Sequence, residues 1–204
     1  NYVTQNERKS LYINYINTSS EPIAVRLTQS AESGFLRHNF PQTIPAGASG
    51  RAEFTYAVSR SWGFFGELSD KFELRVEGSD DVMLIATNGY AIERFEILNN
   101  ELAPKAEFER QMLKFEEVNK SDKPFALSVR LTNNGGEPLF VRSIAPSHEA
   151  ITTSLAAGAK VEPSKSVVMT VTVDPSKLDY GRAIERIVLI TNDPERPMRQ
   201  LRIT

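Results

Sequence analysis

The stretch LYINYINTSSEPIAV, residues 11–25, aligns without a gap on LSVRLTNNGGEPLFV, residues 127–141. Leu11, Ile13 and Tyr15 fall on Leu127, Val129 and Leu131; Asn17 falls on Asn133, and Glu21–Pro22 on Glu137–Pro138. The likeness continues along the chain. IPAGASGRAEFTYAV (44–58) matches VEPSKSVVMTVTVDP (161–175), and GELSDKFELRV (66–76) matches GRAIERIVLIT (181–191). One unit of roughly 95 residues therefore occurs twice. Whatever fold the chain adopts must be completed within half of its 204 residues, around a core that each half supplies for itself.

The repeated segments alternate. Besides 11–16, ALSVRLT (126–132) puts Leu127, Val129 and Leu131 on one face and Ser128 and Arg130 on the other. KFELRV (71–76) groups Phe72, Leu74 and Val76, and VMTVTV (168–173) groups Met169, Val171 and Val173. Period-two patterning over four to eight residues is the signal of a half-buried strand. Clusters of turn residues separate these runs: NTSSEP, IPAGASG, EGSDD, NNGGEP and TNDPERP. The segment AIERFEILNNELAPKAEFER (91–110) contains the nearest thing to a helical stripe. Pro104 and the paired Asn99 and Asn100 interrupt it, so it reads as a last strand, a linker and a first strand. The pattern predicts an all-β chain of two tandem sandwiches of about seven strands each, residues 1–100 and 101–204.

LTNNGGEPLFVRSI, followed by a Pro-containing turn, a Val/Thr-rich strand, Gly181 and IVLITNDPERP, resembles a bacterial family of immunoglobulin-like domains of unknown function. That family is similar to the ASH and major-sperm-protein-like sandwiches. The second copy carries its pattern at Asn133, Gly135, Pro138, Leu139, Gly181, Asn192 and Asp193; the first carries a looser version at Asn17, Thr18, Pro22, Ile23, Pro45, Gly47 and Gly66. Where many members have a Cys-Gly-Cys-like stretch this chain reads APSHEAITT (145–153), so no thiol role is carried over. The resemblance implies an extracytoplasmic protein, in the periplasm, at the cell surface or secreted, that works by contact rather than catalysis. Residue 1 is Asn rather than Met and the chain ends at LRIT inside a strand pattern. A trimmed piece of a longer product, its signal sequence removed, is expected.

Composition removes several function classes. The chain has no cysteine, which excludes disulfides, thiol nucleophiles and thiolate metal sites. Net charge is −2 and the basic residues are scattered, so a nucleic-acid partner is not expected. No apolar run approaches the ~20 residues of a membrane span. His38 and His148 are the only histidines, one in each copy, and neither flank resembles a nucleophile elbow. No enzyme, cofactor or metal site is expected. EGSDD (77–81) and TNDPE (191–195) bunch oxygens as calcium loops do, yet the same residues serve tight turns.

SRSWGFFGEL (59–68) is the exception to this polar, turn-rich background. Setting Gly66 on Gly181 places Phe65 on Tyr180, Phe64 on Asp179 and Trp62 on Lys177. An aromatic before that glycine occurs in both copies, so Phe65 and Tyr180 are expected to cover the end of each sandwich. Trp62, the single tryptophan, and Phe64 have no aromatic counterpart and are the candidate partner-binding residues. Packing against the rest of the protein is the other reading. The partner would be a protein, with the chain acting as an interaction, adhesion or spacer module. Alternatively it would be a glycan stacked on the two rings.

Overall fold

The computed structural model describes residues 1–96 and 101–204. Asn99 and Asn100, where the sequence set the break between domains, lie outside the described residues. The chain divides into two compact units, Asn1–Arg94 and Phe95–Thr204.

In the first unit the alternating runs become β1 (Tyr2–Thr4), β2 (Arg8–Ile16), β3 (Ile23–Ala31), β4 (Leu36–His38), β5 (Thr43–Ile44), β6 (Ser49–Ala57), β7 (Gly66–Val76) and β8 (Val82–Ile92). They form two sheets, β1-β8-β7-β3-β5 and β2-β6-β4. Phe54 and Tyr56 of β6 and Leu68 and Phe72 of β7 fill the space between them and are fully buried. The outward positions of β7, Glu67, Ser69 and Lys71, are exposed, as a strand with one face in the core requires.

The second unit repeats the plan with β9 (Ala106–Phe108), β10 (Met112–Leu113), β11 (Phe125–Asn133), β12 (Leu139–Pro146), β13 (Ile151–Thr153), β14 (Lys160–Val161), β15 (Ser166–Val173), β16 (Glu185–Thr191) and β17 (Met198–Ile203). The sheets are β10-β17-β16-β12-β14 and β13-β15-β11-β9. Met169, Val171, Ile187, Leu189 and Leu201 make its core. Each unit is thus a β-sandwich, and the all-β, two-sandwich fold expected from the repeat is what the chain adopts.

Register agrees with the internal alignment along β2–β6 and β11–β15, where Leu11 pairs with Phe54 and their counterparts Leu127 and Val171 pair likewise, and at the first rung of β3–β7 and β12–β16, beyond which a bulge at Arg142 shifts the second unit by one. Val25 pairs with Val76 in the first unit, and their counterparts Val141 and Thr191 pair in the second. Gly66 and Gly181 both hold positive φ, 129° and 107°, which L side chains rarely adopt. The two matched asparagines explain why the motif recurs. Asn17 is buried, and its Nδ2 donates to the carbonyls of Glu21 (2.8 Å), Ile44 (3.0 Å) and Pro45 (3.1 Å). Asn133 is buried likewise and donates to those of Glu137 (2.7 Å) and Val161 (3.0 Å). Each side chain holds the turn after its own strand to the short strand opposite. Only an amide, with donors and an acceptor on one planar group, can do both.

Candidate functional site

The 59–68 segment opens with a single 3₁₀ turn, Arg60–Trp62. Ser59 caps it, its hydroxyl accepting from Ser61 N–H, and Gly63 ends it in the left-handed region at φ 59°. The second unit has the same device at Pro175–Lys177, capped by Asp174 through Ser176 N–H. Trp62 and Lys177 therefore occupy one structural position, the last residue of the turn.

From there the copies diverge. In the second unit Pro175 and Leu178 are buried and plug the end of the sandwich. Their counterparts are Arg60 and Gly63, which cannot. Phe64 takes over: it is half-buried against the first unit's core. Phe35 joins it there, the two ring centroids lying 4.6 Å apart. Trp62 sits outside this plug, 61 % exposed, with its centroid 5.6 Å from that of Phe35. The loop is pinned from below. Gln5 Nε2 donates to the Phe64 carbonyl (3.0 Å), and Arg60 N–H donates to Asn6 Oδ1 (2.9 Å). Asn6 itself adopts φ 61°, a conformation Asn tolerates better than most residues.

The structure thus brings Trp62 and Phe64 together through a third ring, Phe35, which the sequence had not singled out. Phe35 lies about thirty residues away in sequence, and only its place before β4 brings it to this end. Phe65 is half-buried. Tyr180, expected to cover the second sandwich in the same way, does not: it is 90 % exposed, with Lys120 Nζ 4.4 Å from its ring centre. The reason is Leu178, which already fills the end and leaves Tyr180 nothing to cover. Tyr180 lines a surface groove of about 920 Å³ together with Phe115, Lys114, Glu117 and Arg182.

The other candidates are absorbed by the fold. His38 Nδ1 accepts from Phe40 N–H (3.3 Å) and its ring packs on Phe54 and Phe72. His148 Nδ1 accepts from Ala150 N–H (3.1 Å). Both use the ring nitrogen on their own backbone, not on a hydroxyl. In TNDPE, Asp193 is buried and accepts from the N–H groups of Ala106, Glu195 and Arg196 and from the Arg199 guanidinium. Ser79 and Asp81 of EGSDD bond to each other. Among the described residues no three metal-ligating side chains converge. No helix there is long and apolar enough to cross a membrane.

One buried polar cluster has no counterpart in the second unit. Asp70 points into the first sandwich and accepts from Tyr56 OH (2.7 Å), Gln29 Nε2 (2.9 Å) and Ser33 N–H (2.9 Å). Burial, then the bond to the Asp70 carboxylate, pushes the Tyr56 phenol well above its ordinary value of 10.0. Every donor and acceptor here is matched, which marks a structural tie rather than a reactive group.

Residues 104–204 match the model of the HYDIN/CFA65/VesB-like, Ig-like domain family. Comparison with curated protein sequences finds no match. Among solved structures the chain is similar to a protein of unknown function from Porphyromonas gingivalis W83, with TM-score 0.65 and 15 % identity over 98 % of this chain and 92 % of that one. It also matches the CupB2 chaperone of Pseudomonas aeruginosa at TM-score 0.32 and 11 % identity, over 100 % of this chain and 96 % of that one. A chain of the CsuC–CsuE chaperone–tip adhesion subunit pre-assembly complex of Acinetobacter baumannii matches at TM-score 0.31 and 16 % identity, over 100 % and 94 %. At these identities the likeness is one of fold, and only the first is close enough to carry that much. Strand order, register and the family match at 104–204 together make the chain a tandem of two immunoglobulin-like β-sandwiches.

Proposed function

We propose that this chain is a non-enzymatic, extracytoplasmic module that binds a protein partner through the aromatic end of its first sandwich, with Trp62 as the anchor. One observation carries the reading. Trp62 is a large ring left 61 % exposed on a loop that is capped, pinned by Gln5 and Asn6, and backed by Phe35. A rigid, exposed aromatic costs little entropy to bury and gains much, which is why Trp dominates interface energetics. The sister unit, built on the same 3₁₀ turn, has Lys177 there. The fold does not need an aromatic at that position. Phe64 supports the anchor through Phe35, which touches both rings. The extracytoplasmic placement follows from the family resemblance of the Asn133–Leu139 and Asn192–Asp193 motifs, as does kinship with the ASH and major-sperm-protein-like sandwiches.

The test compares the wild-type chain with Trp62→Ala, both immobilised and exposed to the same envelope extract. A protein retained by the wild type and lost by Trp62→Ala is the expected result. Equal retention by both removes Trp62 from the site. Trp62 is the single tryptophan, so its fluorescence reports directly on occupancy. A shift on adding soluble oligosaccharide, with no protein present, would replace the protein partner by a glycan stacked on the ring.

A further inference from the structure

Charge is divided unevenly between the two sheets of the first unit. Strands β2, β4 and β6 carry Arg8, Lys9, Arg37 and Arg51 against Glu53 alone. In the opposite sheet Arg26, Lys71 and Arg75 are matched by Glu67, Asp70 and Glu73, and the turn joining β7 to β8 adds Glu77, Asp80 and Asp81. The chain as a whole has a net charge of −2, so the positive excess on the smaller sheet comes from placement, not from composition.

Register gathers the arginines on one surface. Phe54 and Tyr56 point into the core, so the residues between and beside them point out. Arg8 pairs with Ala57, Arg37 with Thr55, and Arg51 with Asn14, all at outward positions, and each arginine is exposed. Strands pair edge to edge, so any further neighbour of β2 would lie beside this surface, not over it. Glu53 is already committed: its carboxylate accepts from Ser10 Oγ (2.5 Å) and Tyr12 OH (3.4 Å). Arg37 donates to the Leu36 carbonyl (3.1 Å), and neither Arg8 nor Arg37 has an ion-pair partner among the described residues.

The fold does not ask for these charges. In the second unit the positions of Arg8, Arg37 and Arg51 are held by Pro124, Thr152 and Val168, in the same registers. Gathered like charge works against a compact state through self-repulsion, and it draws in groups of the opposite sign. The surface also runs up to the aromatic end. Arg8 lies two residues past Asn6, whose Oδ1 accepts from Arg60 N–H. Arg37 lies two residues past Phe35, whose ring touches Trp62. Arg60, exposed in the same 3₁₀ turn as Trp62, continues the positive charge onto the loop.

We propose that the protein partner anchored at Trp62 lays an acidic segment, a stretch rich in Asp and Glu, across Arg8, Arg37 and Arg60, so that the ring and the arginine face form one contact. This rests on the reading of Trp62 given above and adds the chemistry of what meets it. Arginine suits such a segment because its planar fork bonds a carboxylate through two parallel N–H groups. A glycan fits this face less well. Its aromatic, Tyr12, has the Arg51 guanidinium 4.0 Å over the ring, which closes that side to a stacked sugar, and its hydroxyl is turned to Glu53. Exposed charges of this kind steer association and set the partner's sign more than they add affinity, while the ring supplies the hold.

Titration calorimetry of the 204-residue chain with short poly-L-glutamate tests this. The wild type should bind, and more weakly as salt is raised, because exposed charges are screened. Arg8→Glu/Arg37→Glu should lower the affinity roughly tenfold or more. Arg26→Glu/Lys71→Glu makes the same change of charge at exposed positions of the opposite sheet and should leave binding nearly as it was. Arg8→Gln/Arg37→Gln removes the charge without reversing it and takes the place of the first pair if that folds poorly. Trp62→Ala should keep most of the polyglutamate binding, so the arginine face and the Trp62 anchor fail separately. No binding of polyglutamate, or an equal loss from both charge-reversal pairs, would overturn the acidic segment and leave the Trp62 retention assay standing. Polygalacturonate or phosphatidylglycerol vesicles held more tightly than polyglutamate, and released by the Arg8 and Arg37 variants, would also overturn it, in favour of an acidic glycan or an anionic membrane.

Discussion

Replacing Asn133 by Ala should destabilise the second sandwich by about 3–5 kcal/mol. Two of the bonds lost lie in dry surroundings, Asn133 Nδ2 to the Val161 carbonyl and Gly135 N–H to Asn133 Oδ1. Neither partner can turn to water, and each such orphan costs ~1–3 kcal/mol. The bonds to the Glu137 carbonyl and from Lys105 N–H are partly solvated, and their loss adds less. For a unit of this size the loss lowers its midpoint by roughly 10–20 °C. Asn133→Asp should be worse than Ala, because it aims a carboxylate oxygen at carbonyls that now receive an amide. Asn17→Ala should act in the same direction but more weakly: only its bond to the Ile44 carbonyl is fully buried, and both acceptor bonds at its Oδ1 come from Ser19. Calorimetry or urea unfolding followed by circular dichroism would measure all three. A cost below ~1 kcal/mol for Asn133→Ala, or an Asp variant as stable as wild type, would refute the clamp as the reason these asparagines recur.

Trp62→Ala should change stability by less than ~1 kcal/mol, whereas Phe64→Ala, which opens the plug, should cost about 2 kcal/mol; thermal melts separate the two rings. Stability should fall as pH rises above about 10, because the unfolded Tyr56 releases its proton there while the folded phenol, its acidity suppressed, holds on. Tyr56→Phe should flatten that alkaline limb in a pH series of melts, and an unchanged slope would assign the loss elsewhere. A fragment starting at Glu101 should fold alone, but one starting at Ala106 should melt lower, since it lacks the Leu102 carbonyl that accepts Gly136 N–H at 3.0 Å and the Lys105 N–H on Asn133 Oδ1. Equal midpoints for the two fragments would show that the 102–105 segment is not part of the sandwich.

The repeat was readable in the sequence because its cause is local. Strand parity, the buried asparagine and the positive-φ glycines are each fixed within a few residues, so the copies stay in step even where side chains differ. Tyr180 was misplaced because whether an aromatic covers a sandwich end depends on what already fills it, here Leu178 and Pro175. Phe35 was missed because it meets Trp62 only through folding. Asp70 did leave a signal, a carboxylate at an inward position between Leu68 and Phe72, but its partners Tyr56 and Gln29 come from two other strands.

The parallel pairing of β1 with β8 and of β10 with β17 has a mechanical consequence. In each unit an early strand lies alongside the last one and points the same way. Tension applied through the two ends of a unit would load these hydrogen bonds side by side, in shear, instead of opening them one at a time. In the second unit the β9–β11 pairs lie upstream of that joint and would yield first. In the first unit the loaded rungs are Tyr2–Tyr90, Val3–Ala91 and Thr4–Ile92. A chain of such sandwiches is a set of links that hold their length under pull until a whole row of bonds fails at once.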